Sequence, residues 1–256
     1  RSQTHAIYIA KVMMEYVRFN SPYIQKHCLI DWYSAGGDSL GPTQQAVIQA
    51  VAQQGADTVT GEGEYRFFST PSAKVFEMLK DGMGTEVVAS SFSYDDKLPN
   101  GTRAVSALAS KDEAGNVYIN IVNTNREESK RILIEVEGVN NSGRNVVVSN
   151  LVAPSYDAEN TLDNPDNVKI VTESRTNETA QVEVTIAPHT FTVVKIEAPE
   201  VQVTVPSAPQ EFLAEAGDGQ VTLSWTAPAQ AGGAAITGYE VSCDNGSTWT
   251  AASGET

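Results

Sequence analysis

General acid–base chemistry needs carboxyl groups that a fold can hold at a fixed separation. Asp31, Asp38, Glu62 and Glu64 stand near one apolar run, His27 to Trp32, that has the length of a strand. An acid at the end of a strand serves either chemistry or a hydrogen bond to a neighbouring loop, and the second use is the commoner one for Asp31. Other reactive constellations are missing. His5, His27 and His189 are too scattered for a metal set, no nucleophile elbow marks a Ser/His/Asp order, and Gly36-Gly37 lacks the lysine of a phosphate loop. No metal and no cofactor are expected. His189, in Pro188-His189-Thr190, reads as a turn residue leading into the last of a series of strands.

The elements that must position these groups are framed by composition. With 17 basic against 32 acidic residues the net charge is −15, which repels phosphate backbones and anionic lipid and makes nucleic acid an unsuitable partner. No run of about eighteen apolar residues exists to span a bilayer. Cys28 and Cys243 lie far apart in segments of different character and read as two free thiols. Arg1 stands just ahead of a helical pattern and belongs to no signal sequence, so the sequence reads as starting inside a longer protein. Four Asn-x-Ser/Thr matches, at Asn100, Asn140, Asn177 and Asn245, fall in loop-like sequence, where so short a pattern is frequent by chance.

From Thr4 to Phe19 the spacing of Ile9, Val12, Met13, Tyr16 and Val17 predicts a largely buried helix, with Ile7, Ala10 and Met14 beside that face. The run His27–Trp32 and a glycine-rich loop come next, and TQQAVIQAVAQQ reads as a second helix. Another helix follows Pro71, with Thr70 as cap and Gly82 or Gly84 as terminator. From Glu86 onward the pattern changes to strands: VVASSF, a hairpin over 105–123 with a turn at Asp112, Gly115 and Asn116, then RILIEVEG, NVVVSN, NVKIV, QVEVTI and FTVVKI. In the hairpin Val117, Ile119 and Ile121 share a core face, which leaves Tyr118 and Asn120 on a wetter one. So many strands without a helix predict a sandwich. A linker with three prolines follows from Glu197, and strand patterns resume with turns at Gly-Asp-Gly and at Asp244-Asn245-Gly246.

Three blocks, VYINIVN, AENTLDNPDNV and IAPHTFTVVKI, resemble in their order the C-terminal β-sandwich of family 51 α-L-arabinofuranosidases. Upstream, HCLIDW and STPSAKVFEMLKDGMGTEVV look like the last strand and last helix of that family's (β/α)8 barrel. The end of the chain, VPSAPQEFLAEAGDGQVTLSWTAP with ITGYEVSCDNG, resembles the first half of a bacterial fibronectin type III module whose buried tryptophan is Trp225. The implied fold class is mixed: residues 1–85 as the C-terminal part of a (β/α)8 barrel, 86–198 as an all-β sandwich, and 199–256 as a linker with a truncated immunoglobulin-like module.

The resemblance implies a retaining glycosidase, whose acid/base and nucleophile are carboxyl groups about 5 to 5.5 Å apart. In that family they are glutamates on the fourth and seventh barrel strands. Read as beginning after the seventh strand, the chain holds neither, so no catalytic residue is carried over. Trp32, Tyr33 and the loop to Gln45 follow a barrel strand, and residues so placed face the active site. An aromatic face suits a sugar ring, and the family's glutamine that reaches the sugar has its nearest match in Gln44 or Gln45. Core packing for Trp32 and solvated helix positions for both glutamines are the competing readings. The implied function is the C-terminal portion of a bacterial extracellular or cell-surface enzyme that removes α-L-arabinofuranosyl units from arabinan or arabinoxylan, inactive by itself. The alternative is a non-catalytic carbohydrate-binding or cell-surface β-module.

Overall fold

The computed structural model describes residues 2–21, 30–34, 47–56, 62–93, 96–199 and 204–252. The chain divides into two units, Arg1–Ala198 and Pro199–Thr256.

The first unit opens with α1 (Gln3–Arg18), followed by β1 (Ile30–Ser34), β2 (Ile48–Ala52), β3 (Tyr65–Ser69) and α2 (Pro71–Asp81). β1 and β2 run parallel, and β3 pairs antiparallel on the other side of β2. Residues 48–52 are therefore a strand, where the sequence pattern predicted a helix. The run IQAVA is buried from Gln49 to Ala52, and a short segment covered on both faces has no periodicity to separate strand from helix; pairing on both edges decides it. The strand that ends HCLIDW is thus followed by one that runs parallel to it.

Eight more strands complete this unit among the described residues: β4 (Glu86–Val87), β5 (Val105–Lys111), β6 (Val117–Asn123), β7 (Lys130–Ile134), β8 (Asn145–Val152), β9 (Lys169–Thr176), β10 (Val182–Ile186) and β11 (Thr190–Ile196). Six form a sheet in the order β4-β5-β6-β11-β8-β9, while β7 and β10 pair separately. Of VVASSF only Val87 enters the ladder; Ala89, Ser90 and Ser91 supply no apolar stripe to bury.

Alternation along β11 sorts the core into two layers. Val194 and Ile196 join Ile119, Ile121, Ile132, Val184 and Ile186 between the two sheets. Phe191 and Val193 point the other way, into a cluster with Ile7, Ala10, Met14, Val75 and Met78 of the helices. The wet face expected for β6 is thus dry: Tyr118 is 7% and Asn120 0% exposed, because α1 and α2 cover that side of the sheet. Asn120 meets the cost of burial in part by donating from Nδ2 to the Gly82 carbonyl at 3.0 Å.

The buried face of α1 is Ala6, Ile7, Ala10 and Met14, turned from the one the sequence predicted; Tyr16, assigned to the core, is 47% exposed. Hydrogen bonds at its start set this rotation. The Gln3 and Thr4 N–H groups donate to the Ala158 and Tyr156 carbonyls at 2.9 and 3.0 Å, so the sandwich satisfies donors that a capping side chain would otherwise take. The Gln3 amide adds a bond to the His189 carbonyl at 2.9 Å. α2 begins at Pro71 as predicted, but Thr70 donates its hydroxyl to the Val47 carbonyl at 3.0 Å instead of capping the helix. Gly82 ends α2 where a Cβ would stand 2.7 Å from Val193 Cγ1, so the helix end can lie close on β11 only without a side chain.

The second unit contains two hairpins, β12 (Gln210–Ala216) with β13 (Val221–Thr226) and β14 (Glu240–Val241) with β15 (Thr250–Ala251). Trp225 packs edge-on to Tyr239 with ring centroids 5.3 Å apart. The turn at Asp244 matches the sequence reading: Asn245 and Gly246 have φ of 60° and 86°, and the Asp244 carboxylate accepts from the Thr248 N–H and hydroxyl. Those bonds and one from Ser242 hold its pKa down at about 2. Cys243 is a free, exposed thiol; Cys28 lies outside the described residues.

Candidate functional site

The three-stranded sheet β1-β2-β3 carries Asp31, Trp32 and Tyr33 of the residues singled out for chemistry. Its register sets Asp31 beside Gln49, Trp32 beside Ala50 and Tyr33 beside Val51. Because β1 and β2 are parallel, their carboxyl ends lie at the same edge. β3 runs against them, so its first residues arrive at that edge: Gln53 just past β2 donates its N–H to the Glu64 carbonyl at 3.0 Å. One edge therefore gathers Tyr33, Ser34, Gln53 and Glu64, with Asp31 and Gln49 further down their strands. Glu62 and Glu64 are exposed. Asp38, Gln44 and Gln45 lie outside the described residues.

Gln49 was missed at the sequence level because its segment reads as a helix. It is fully buried on the central strand, flanked by Asp31 on one side and Phe68 on the other. An amide that donates and accepts is the residue type already sought in this neighbourhood. Its strand is the usable signal: a polar residue inside VIQAVA stands out once that run is read as buried β-structure.

The sandwich holds this sheet in place. Asn160, fully buried within the AENTLDNPDNV block, donates to the Ser69 carbonyl at the end of β3 (3.1 Å) and to the Val168 carbonyl (3.2 Å), and accepts from the Val168 N–H at 2.7 Å. Thr70 ties the following residue to Val47 through both its N–H and its hydroxyl. The sheet edge and the sandwich loop are thereby fixed to each other by bonds that bury their polar groups satisfied.

A second polar centre lies in the hairpin turn. Asp112 accepts from the Asn116 N–H and amide and from the Tyr118 hydroxyl at 2.9, 2.8 and 2.9 Å, and these bonds lower its pKa. Burial, and then the Asp112 bond and charge, push the Tyr118 phenol up to about 12. This network is closed on itself and locks the turn. His189 has φ of 46° just ahead of β11, in keeping with a turn role; its Nε2 lies 3.0 Å from the Thr4 hydroxyl and its ring meets Tyr156 edge-on. Burial lowers its pKa first, the Arg126 charge adds to this, and a bond to the Thr124 backbone opposes both. Among the Asn-x-Ser/Thr matches, Asn177 is buried with its amide donating to the carbonyls of Asn141, Thr179 and Gln181, which leaves no room for a glycan.

By register the sheet sets Asp31 of β1 beside the buried Gln49 of β2, with the exposed Glu62 and Glu64 ahead of β3. Among the described residues no group of three His, Cys, Asp or Glu could hold a metal ion, and no helix is long and apolar enough to cross a membrane.

A family model, the α-L-arabinofuranosidase C-terminal domain, matches residues 45–190. A solved structure of a family 51 α-L-arabinofuranosidase from Bifidobacterium longum superposes with a TM-score of 0.54 at 13% identity, over 77% of this chain and 35% of that one. The thermostable family 51 enzyme from Thermotoga petrophila matches at 24% identity with a TM-score of 0.49, over 60% of this chain and 32% of that one. The Thermotoga maritima α-L-arabinofuranosidase, solved as an arabinose complex, matches at 25% identity and a TM-score of 0.46, with coverage of 60% and 32%. The chain thus spans about a third of the length of these structures. No curated protein matches it.

Proposed function

Because the chain belongs to the α-L-arabinofuranosidase C-terminal domain family, we propose that it serves as the C-terminal portion of a retaining glycoside hydrolase that removes α-L-arabinofuranosyl units from arabinan or arabinoxylan. The observation that carries this reading is the family match itself, which runs from the segment before β2 to the first residue of β11. It takes in the strand that bears Gln49, the helix α2 and most of the sandwich, in chain order.

The parallel pair refines the assignment of roles. If β2 is the eighth barrel strand, β1 is the seventh, the strand that holds the nucleophile in the resembled family. Asp31 is then the carboxylate in that position, one methylene shorter than glutamate. A single carboxylate does not make a retaining site, which needs an acid/base partner about 5 to 5.5 Å away. In this reading the partner stands on an earlier strand outside these residues. Trp32 and Tyr33 are read as offering an aromatic face to the sugar, and Gln44 or Gln45 as the amide that bonds its hydroxyls, while the fully buried Gln49 stands beside Asp31 inside the sheet.

The sandwich then acts as a brace, with Asn160 joining it to the three-stranded sheet and the start of α1 tied to its carbonyls. The second unit is read as the first half of a fibronectin type III module, supported by the edge-on Trp225–Tyr239 contact, although Trp225 is partly exposed where the resemblance implied a buried ring. Extracellular or cell-surface placement of the enzyme follows from its polymeric substrate.

Expression of these residues together with the coding sequence that precedes them tests the proposal. Hydrolysis of a chromogenic α-L-arabinofuranoside is expected, with kcat falling at least about a thousandfold on Asp31→Asn, since removing a group that acts in the transition state lowers kcat itself. Turnover indifferent to that change would remove Asp31 from the mechanism. An extended protein without any glycosidase activity would favour the non-catalytic reading.

A further inference from the structure

A groove of about 510 Å³ runs between α1 and the segment that leads into β5, and no part of the proposed site uses it. Lys11, Glu15 and Arg18 reach it from one face of α1, at helical spacings that bring side chains together. Arg103 and Thr102 close it from the other side, and the part-buried ring of Phe92 forms an apolar wall. β4 pairs with the Ser110–Lys111 end of β5, and Val105, Ser106 and Ala107 at the other end of that strand line the groove.

The charges in the groove are unequally matched. Arg18 donates to both Glu15 carboxylate oxygens at 3.1 and 3.2 Å and to the Ala107 carbonyl, which neutralises Glu15 and fixes that wall. Lys11 and Arg103 have no ion-pair partner among the described residues. Two uncommitted cations facing one groove run against the −15 charge of the whole chain. That surrounding negative charge disfavours a polyanion, while a ligand with a single anion on a largely neutral, hydroxylated body meets the cations without meeting the wider field. Guanidinium and ammonium groups pair with a carboxylate, the Thr102 and Ser106 hydroxyls bond sugar hydroxyls, and an aromatic wall takes the apolar side of a pyranose ring. The volume lies within the usual range for small-ligand sites, about 300 to 1,000 Å³.

We infer that the groove lined by Lys11, Arg103, Thr102 and Phe92 binds the uronic acid unit of an acidic oligosaccharide. The inference rests on the carbohydrate reading above and adds to it a second, charge-selective contact with substituted polysaccharide.

Calorimetric titration of the full 256-residue chain with a xylo-oligosaccharide bearing one glucuronic acid, and with the same oligosaccharide lacking it, tests the groove. The acidic ligand should bind at least about tenfold more tightly than the neutral one, and more weakly as sodium chloride is raised from about 0.05 to 0.5 M, where screening shortens the reach of both cations. Arg103→Gln and Lys11→Gln should each remove most of that preference, while Arg103→Lys, which keeps the charge, retains it in part. Lys11 is partly exposed and Arg103 exposed, so unchanged thermal melts can verify folding of the variants. Equal affinity for the two ligands, absence of binding by the acidic one, or a preference that survives both glutamine substitutions overturns the inference. Arabinofuranoside turnover by the extended protein tests the underlying reading separately: turnover without uronate preference removes only the groove, and uronate preference without turnover removes only the hydrolase.

Discussion

His189 shows how one residue, through its backbone and its ring, couples several parts of the first unit. Its carbonyl accepts from Gln3, its ring lies against Thr4 and Tyr156, and its N–H donates to the Asn125 carbonyl at 2.7 Å. With its folded pKa depressed below the unfolded value of about 6.5, the unfolded chain binds the proton more readily. The neutral ring's contribution to stability is therefore fully present above that value and is lost as pH falls below it through the folded pKa. Thermal melts at pH 7.5 and 5.5 should show a drop for the wild type that shrinks in His189→Asn, a residue that tolerates positive φ; an equal drop in both proteins would place the titration elsewhere. Asn177, buried under three carbonyl bonds, gives a second residue-scale expectation. Asn177→Ala should destabilise by about 1 to 3 kcal/mol in a urea titration, the usual range for leaving buried polar groups unpaired.

Phe191 carries the argument to elements. It is fully buried on β11, and it packs under the helices while Val194 and Ile196 fill the space between the sheets. Phe191→Ala is expected to cost about 3 to 5 kcal/mol, as large-to-small core changes do, read as a lower denaturation midpoint; a midpoint that barely moves would mean that the helices do not seal this face. Strands with clean alternation were legible from sequence: β7 with Ile132 and Ile134 inward, the β5–β6 hairpin with its Asp112 turn, and β11 itself. The β2 strand was not, since Gln, Ala and Val in a short buried run satisfy a helical reading equally well until a neighbour pairs with them. The rotation of α1 and the dryness of Tyr118 and Asn120 were hidden for a related reason. Both depend on which surface packs on which, and the polar bonds that choose it, from Gln3 and Asn120, join residues far apart in the chain. In the site, Trp32 falls on a strand as the apolar run implied, Tyr33, read as the start of the following loop, falls on the same strand, and Gln49 emerged only with the strand that bears it.

At the scale of the whole molecule, the helices and the sandwich fold as one body. Ile7, Ala10 and Met14 of α1 are at most 1% exposed, and its first donors end on sandwich carbonyls. The N-terminal helix is thus covered by the chain's own sheet. Limited proteolysis should first cut near the boundary between the two units and release a fragment that keeps α1 and α2, because buried, hydrogen-bonded backbone resists cleavage; early loss of α1 would contradict this packing. The central claim of the proposed function is that these residues brace an arabinofuranosidase site without containing its pair of catalytic carboxylates. Its most direct test is the initial rate of the highly purified 256-residue chain on 4-nitrophenyl α-L-arabinofuranoside. The expected result is no turnover above the uncatalysed rate, because a lone strand carboxylate lacks the acid that protonates the leaving group. Turnover that disappears on Asp31→Asn or Glu64→Gln would contradict the claim, since it would mean that the chain holds a complete catalytic site of its own.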